Sequence, residues 1–395
     1  MRPSDVLNSH AGRRFASAAA LTVTAAVLLA GPSGFGVADA QAVPAGDSAE
    51  GPTATVSLGD SYISGEAGRW AGNSGANQDG AWSGTDRGAQ VYGASGRCHR
   101  SDSAEVKSSG LPGEAENLAC SGAVAADVYT SGGQADQLAD LAKRKRIGVV
   151  VMSLGGNDLD FKGTISDCAK GFILGNLTGS LAGYHCHGDQ QKRVDEKSAG
   201  AKADITRAVM AVRSAMSQAG YGSESYRLVL QSYPSPLPDA HGNAFMGNGY
   251  RDHQRWTIGG CPFHEDDSDW ARRKLVPQIS AMIKEVARSA KAEFMDVQDL
   301  LTGHEVCAAD SKRASLTQNP GEREWARFIW PSYTEGKWDV PQQGGVEEFM
   351  HPNYYGQQAL GHCLKEHVQR GAGDSACAGA AGIEPHSVRW SRLSD

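Results

Sequence analysis

A serine becomes a nucleophile when a sharp turn at a strand end projects its hydroxyl into a cleft beside a base. Gly-Asp-Ser occurs three times in this chain of 395 residues, ending at Ser48, Ser61 and Ser375. Three residues are a weak signal, so context must separate them. Ser48 stands just after an N-terminal apolar segment, and Ser375 stands in a glycine-rich stretch near the C-terminus. Only Ser61 follows a β-type run, Thr53 to Leu58, and leads into Tyr62-Ile63-Ser64-Gly65, which reads as a strand-to-helix turn. Gly-x-Ser-x-Gly is absent, so the nucleophile elbow of α/β-hydrolases is missing.

The base must titrate near working pH, which points to imidazole. Of twelve histidines, only His351 has an acidic residue three positions earlier, Glu348. A carboxylate there is expected to hold the ring tautomer and stabilise the imidazolium. Two further segments supply hydrogen-bond donors for a developing oxyanion. Asn157, in Leu154-Gly155-Gly156-Asn157-Asp158, carries a side-chain amide directly after an apolar run. Asn117-Leu118-Ala119-Cys120-Ser121-Gly122 offers the Gly122 backbone N–H.

In this order, Gly59-Asp60-Ser61, Gly122, Gly155-Gly156-Asn157-Asp158 and His351 resemble the four blocks of the SGNH (GDSL) hydrolase family. Cys98-His99-Arg100-Ser101 and the Asn117–Gly122 segment are similar to its secreted bacterial lipase and esterase branch. The resemblance spans about Thr53 to Cys363. It implies a three-layer α/β/α fold with a flavodoxin-like parallel sheet, and serine ester hydrolysis without metal or organic cofactor. Carried over by residue, Ser61 is the nucleophile, and Ser61 N–H, Gly122 N–H and the Asn157 side chain form the oxyanion hole. His351 is general base and then acid. The family commonly has Asp three residues before the histidine, whereas this chain has Glu348. Its carboxylate is expected to complete the triad; the alternative is that the side chain points away and a backbone carbonyl orients the ring.

The elements that must position these residues follow from periodicity. Ile147 to Leu154 is continuously apolar, as in a central strand covered on both faces. Tyr226 to Ser232 and Glu293 to Val297 are further strands. Ile205, Val209, Val212 and Met216 draw one helical stripe, and Leu275, Ile279, Met282, Ile283 and Val286 draw another. A last helix is expected from Tyr355 to Gln369. Such alternation predicts a parallel sheet between helical layers.

Arg13-Arg14, an apolar run from Phe15 to Ala30 and Ala38-Asp39-Ala40 read as a secretory signal, so residues 1–42 are taken as leader and short linker. Residues 43–377 are expected to be one catalytic domain and 378–395 a loosely held tail. The eight cysteines, Cys98, Cys120, Cys168, Cys186, Cys261, Cys307, Cys363 and Cys377, all follow the leader. Export to an oxidising compartment makes them disulfides, and joining sequence neighbours closes the shortest loops. His185-Cys186-His187 and Cys98-His99 raise a metal alternative, but no C-x-x-C spacing supports it. Glu265-Asp266-Asp267 with Asp269 lacks calcium-loop spacing and reads as a solvated loop.

The formal net charge of −7 argues against a nucleic-acid partner. The expected partner is a small-molecule or lipid ester, met by a secreted monomer with no membrane span after processing. Trp70, Trp82, Trp330, Tyr333 and Trp338 fall in irregular stretches that suit an acyl-binding cleft; they also suit stacking on a sugar. A carbohydrate O-acetyl esterase is therefore the enzymatic rival, and a secreted binding protein on the same fold the non-enzymatic one.

Overall fold

The computed structural model describes residues 53–69, 98–178, 184–247, 249–314, 319–329, 333–334, 337–338 and 348–394. The expected leader and linker, residues 1–42, lie outside them. The first half holds β1 (Thr53–Gly59), α1 (Ser61–Ser64), α2 (Glu105–Ser108), β2 (Glu114–Asn117) and α3 (Ala126–Tyr129). α4 (Gln134–Ala142), β3 (Arg146–Ser153), α5 (Phe161–Thr178) and α6 (His187–Gln218) follow. The second half holds β4 (Arg227–Gln231), α7 (Asp252–Gln254), α8 (Glu265–Trp270), α9 (Val276–Ser289) and β5 (Glu293–Asp299). A hairpin of β6 (Tyr333–Thr334) and β7 (Lys337–Trp338) precedes α10 (Tyr354–Gln369), β8 (Ser375–Ala378) and β9 (Arg389–Arg392).

Seven strands form one sheet in the order β2-β1-β3-β4-β5-β8-β9. The first six pair in parallel, and β9 closes the edge antiparallel to β8. The order 2-1-3-4-5 is that of flavodoxin-like sheets, and the chain's crossovers diverge between β1 and β3. Ligands of such sheets bind beyond the carboxyl ends of the strands at that divergence, where Ser61 and Asn157 both emerge.

β3 is apolar throughout because both of its faces are covered. Val150 and Met152 join a core with Leu138 of α4, Ile205, Val209 and Val212 of α6, and Ile279 and Ile283 of α9. Val149 and Val151 face the opposite core, with Ile63 of α1 and Ala359, Leu360 and Leu364 of α10. Each fully buried branched side chain contributes about 1.5–3 kcal/mol, so two sandwiched layers anchor the strand that leads to Asn157. The three-layer α/β/α architecture expected from the sequence is the one observed.

The predicted strands and helices appear within a few residues, with Pro277 directly after the π-helical turn Ala271–Leu275 that joins α8 to α9, a local widening of the kind that accommodates a residue without an N–H. β2 was not anticipated, because Glu-Ala-Glu-Asn carries no β-type pattern. Backbone pairing with Ala54–Ser57 makes it an edge strand. The segment beyond Cys377 is not the loose tail expected. β9 pairs with all four residues of β8, and Val388 is buried against the second core.

The disulfides join sequence neighbours: Cys98–Cys120, Cys168–Cys186, Cys261–Cys307 and Cys363–Cys377. Among the described residues, no helix is long and apolar enough to cross a membrane.

Candidate active site

The turn after β1 is fixed by backbone that only glycine accommodates well. Gly59 has φ +129°, and a Cβ there would lie 1.8 Å from the Ser153 carbonyl oxygen. Gln134 closes the turn by accepting from Gly59 N–H and donating to its carbonyl, at 2.7 and 2.9 Å. Asp60 then caps α1, its carboxylate accepting from Tyr62 N–H at 3.1 Å. Ser61 thus starts a helical turn at the sheet's carboxyl edge, its own N–H aimed outward as the first orphan donor of a helix.

His351 meets it from 290 residues away. Its Nε2 lies 2.7 Å from Ser61 Oγ. Tyr62 braces the approach: its hydroxyl donates to the Met350 carbonyl at 2.7 Å, and its ring lies 4.6 Å from the imidazole. Nδ1 of the ring is 2.9 Å from the Phe349 carbonyl oxygen. That acceptor selects the tautomer with a proton on Nδ1, leaving Nε2 to accept from the serine hydroxyl.

Glu348 stands differently from the expectation that its carboxylate completes a triad. Its side chain is fully buried, with Oε1 2.7 Å from Arg69 Nε and Oε2 3.8 Å from Arg327 Nε. A carboxylate taken wholly out of water needs cations beside it, and two buried guanidiniums supply them, while the ring's Nδ1 meets the Phe349 carbonyl. The chain turns sharply at Met350, φ +62°, so that the His351 N–H reaches the Glu348 carbonyl at 3.2 Å. Ring orientation therefore falls to main-chain carbonyls.

Burial pushes the His351 imidazole below its ordinary pKa, opposed first by the Glu66 carboxylate and then by the Phe349 and Glu348 carbonyls. Glu66 is fully buried, and both its oxygens lie 2.9 Å from His99 Nδ1. It is the acidic side chain whose field reaches the imidazole, and sequence reading passed over it because it stands neither three residues before the histidine nor in any motif.

Two loops face Ser61. The backbone N–H groups of Ser61 and Gly122 have no acceptor among the described residues. Asn157 donates one amide hydrogen to the Ala123 carbonyl at 2.9 Å, and the second N–H of that amide remains for the cleft that Asn157 lines. Asp158 accepts from Ala125 N–H at 3.1 Å, so the loops after β2 and β3 are stitched side by side. Gly155 has φ +117°, and a Cβ there would press on Ile205 at 2.6 Å.

Tyr233 ties this loop to the nucleophile turn. Its hydroxyl accepts from Gly156 N–H at 3.0 Å and donates to the Asp60 carboxylate. Burial nevertheless pushes the Asp60 carboxyl up to about 7.

The cleft has a volume of about 290 Å³ and reaches from Ser61 and His351 along α5. Phe161, Ile165, Ala169 and Ile173 line it, four residues apart on neighbouring turns. Ile329 and Phe349 complete the apolar lining, and Lys162 and Lys170 are its cations. The sequence did carry this signal as a spacing of four, unread because Phe161 to Thr178 has a glycine-rich, weakly patterned context. Trp70, Trp82 and Trp330 lie outside the described residues, as do the side chains of Tyr333 and Trp338.

A profile of the GDSL-like lipase/acylhydrolase family matches residues 57–359. A search of curated proteins gave no match. Among solved structures, the chain is similar to an extracellular lipase from Streptomyces rimosus at 21% identity, covering 79% of this chain and 97% of that one, with a TM-score of 0.40. It is similar to phospholipase A1 from Streptomyces albidoflavus at 20% identity, with coverage of 79% and 97% and a TM-score of 0.41. A carbohydrate acetylesterase from Sinorhizobium meliloti follows at 13% identity, with coverage of 80% and 99% and a TM-score of 0.33. With the family profile spanning most of its length, the chain belongs to the GDSL-like lipase/acylhydrolase family.

Proposed function

We propose that the protein is a secreted serine hydrolase that cleaves carboxylic acyl esters through an acyl-enzyme on Ser61. The observation that carries this reading is the 2.7 Å contact between His351 Nε2 and Ser61 Oγ, beside two backbone N–H groups that have no acceptor among the described residues. His351 takes the hydroxyl proton as Ser61 Oγ attacks the ester carbonyl. The oxyanion is met by Ser61 N–H, Gly122 N–H and the Asn157 amide. The imidazolium then returns its proton to the leaving alkoxide, and water enters by the reverse path. The Phe349 carbonyl holds the ring, and the buried Glu66 carboxylate stabilises its charged form. No step needs a cofactor. The four disulfides and the leader-like N-terminus support export.

The apolar wall along α5 favours an acyl chain over a bare acetyl group, hence a lipase or phospholipase. From Phe161 to Ile173 the helix offers contact over about 18 Å, a little over three turns at 1.5 Å per residue. The test is a panel of p-nitrophenyl esters from acetate upward, phosphatidylcholine and acetylated sugars, each run beside Ser61→Ala. Rising activity with chain length, abolished in the variant, is the expected result. Activity confined to acetyl groups turns the reading towards the carbohydrate esterase. Absence of covalent labelling of Ser61 by a fluorophosphonate turns it towards a binding protein.

A further inference from the structure

Two segments that say little separately are brought together across the rim of α5 and α6. His185 and His187 flank Cys186, whose disulfide to Cys168 anchors them to α5. Asp266 and Asp267 belong to α8, about eighty residues on. The fold places His185 Nδ1 2.7 and 2.8 Å from the two Asp266 oxygens. His187 Nδ1 lies 3.0 Å from Asp267 Oδ1 and 3.6 Å from Asp266 Oδ2. One ligand atom from each of the four residues lies within 4.8 Å of all the others.

We propose that His185, His187, Asp266 and Asp267 form a binding site for a divalent transition-metal ion of the zinc type. Zinc bonds to imidazole nitrogen and carboxylate oxygen are near 2.05 Å, so the edge of a tetrahedral site is about 3.3 Å. The nitrogen–oxygen separations of 2.7–3.6 Å straddle that value, so ligation needs only sub-ångström shifts for those pairs. Two neutral imidazoles and two carboxylates neutralise a dication. The nitrogen content selects zinc-like ions over calcium or magnesium, which take oxygen shells.

A second observation points the same way. The Asp267 side chain is 1% exposed. Its Oδ1 accepts from the His187 backbone N–H at 2.9 Å, while Oδ2 is buried and has no hydrogen-bond partner among the described residues. Buried carboxylate oxygens are rarely left unsatisfied, and an ion among these ligands supplies the missing partner. The frame is also prepared: the Cys168–Cys186 disulfide pins the two histidines, and the His185 ring stacks on His264 at 4.0 Å. The three other ligand side chains are 39–47% exposed, so an ion enters from solvent. Bound there, it ties the junction of α5 and α6 to α8 and stiffens the wall of the cleft. This site shares no residue with the hydrolytic one and stands apart from the reading of Ser61.

The test uses the tag-free mature protein, stripped with chelator and dialysed, and titrated with zinc chloride by calorimetry. One equivalent is expected to bind with micromolar or tighter affinity. At one hundred times Kd the melting temperature is expected to rise by about 3–6 °C. Calcium and magnesium chloride are expected to do neither. His185→Ala and Asp266→Asn alter exposed side chains, and are expected to melt with the wild type in chelator while binding zinc at least about tenfold more weakly. Failure of the wild type to take up zinc overturns the proposal, leaving two histidine–carboxylate ion pairs. So does equal affinity in both variants. Fluorophosphonate labelling of Ser61 in parallel reports on the hydrolytic reading alone.

Discussion

Glu348→Gln separates a triad carboxylate from a structural one. The glutamine keeps the shape but removes the charge 2.7 Å from Arg69 Nε and 3.8 Å from Arg327 Nε, where all three side chains are at most 1% exposed. Removing one partner of a buried ion pair costs about 3–5 kcal/mol. The ring should feel much less, because its Nδ1 proton faces the Phe349 carbonyl, which the substitution leaves in place. Loss of a carboxylate that truly sets the tautomer costs about 10⁴-fold in turnover. The two roles are therefore pulled apart in two different observables. Urea unfolding measures the first. Turnover of a p-nitrophenyl ester per fluorophosphonate-titrated serine measures the second, free of any loss of folded protein. The structure predicts a stability loss of about 3–5 kcal/mol with turnover per active serine within about tenfold of wild type. Turnover lower by a thousandfold or more, at stability within about 1 kcal/mol of wild type, would refute the reasoning and return the carboxylate to the imidazole.

Asn157→Ala is expected to lower kcat about 100- to 1000-fold with little change in KM, since its second amide hydrogen serves the oxyanion; steady-state kinetics on one ester checks this. The base must be neutral to act, and burial holds the His351 pKa below its ordinary 6.5, so the acid limb of kcat/KM should have its midpoint below pH 6.5. Glu66→Gln removes the leading influence that opposes this shift, so that midpoint should move lower still; a pH–rate profile that moves upward contradicts the assignment. Ala169→Phe places a ring on the α5 wall of the cleft and should depress hydrolysis of long acyl esters while sparing acetate. Equal loss across chain lengths would mean that acyl chains lie elsewhere.

Most of the fold was legible because the sheet is covered on both sides. Strands such as Ile147–Leu154 then read as unbroken apolar runs, and the stripes of α6 and α9 repeat at helical spacing. What escaped was set by pairing partners rather than by local pattern. β2 is Glu-Ala-Glu-Asn, every residue half-buried, and it is a strand because β1 offers it an edge. β9 is mostly exposed and polar, and is likewise a strand only because β8 lies beside it.

The site divides along the same physical line. Ser61, Gly122 and Asn157 could be singled out because they stand at turns that leave glycines in the chain, whereas His351 stood out by the acidic residue three positions before it and by the family resemblance. The electrostatics around His351 could not, because charge acts through space. An acidic residue three positions before a histidine is a statement about sequence distance. Whether it reaches the ring depends on which cations share its burial, and Arg69 and Arg327 come from segments far away. Glu66 reaches the imidazole's field although no motif contains it. Its companion His99 sits at φ +46°, a backbone state that few non-glycine residues adopt, beside the disulfide that also fixes the Gly122 loop. The field on the base and the donors for the oxyanion are thus anchored by one covalent tie, Cys98–Cys120. Reducing that bond should therefore disturb both together, whereas exchanging Glu348 should disturb neither.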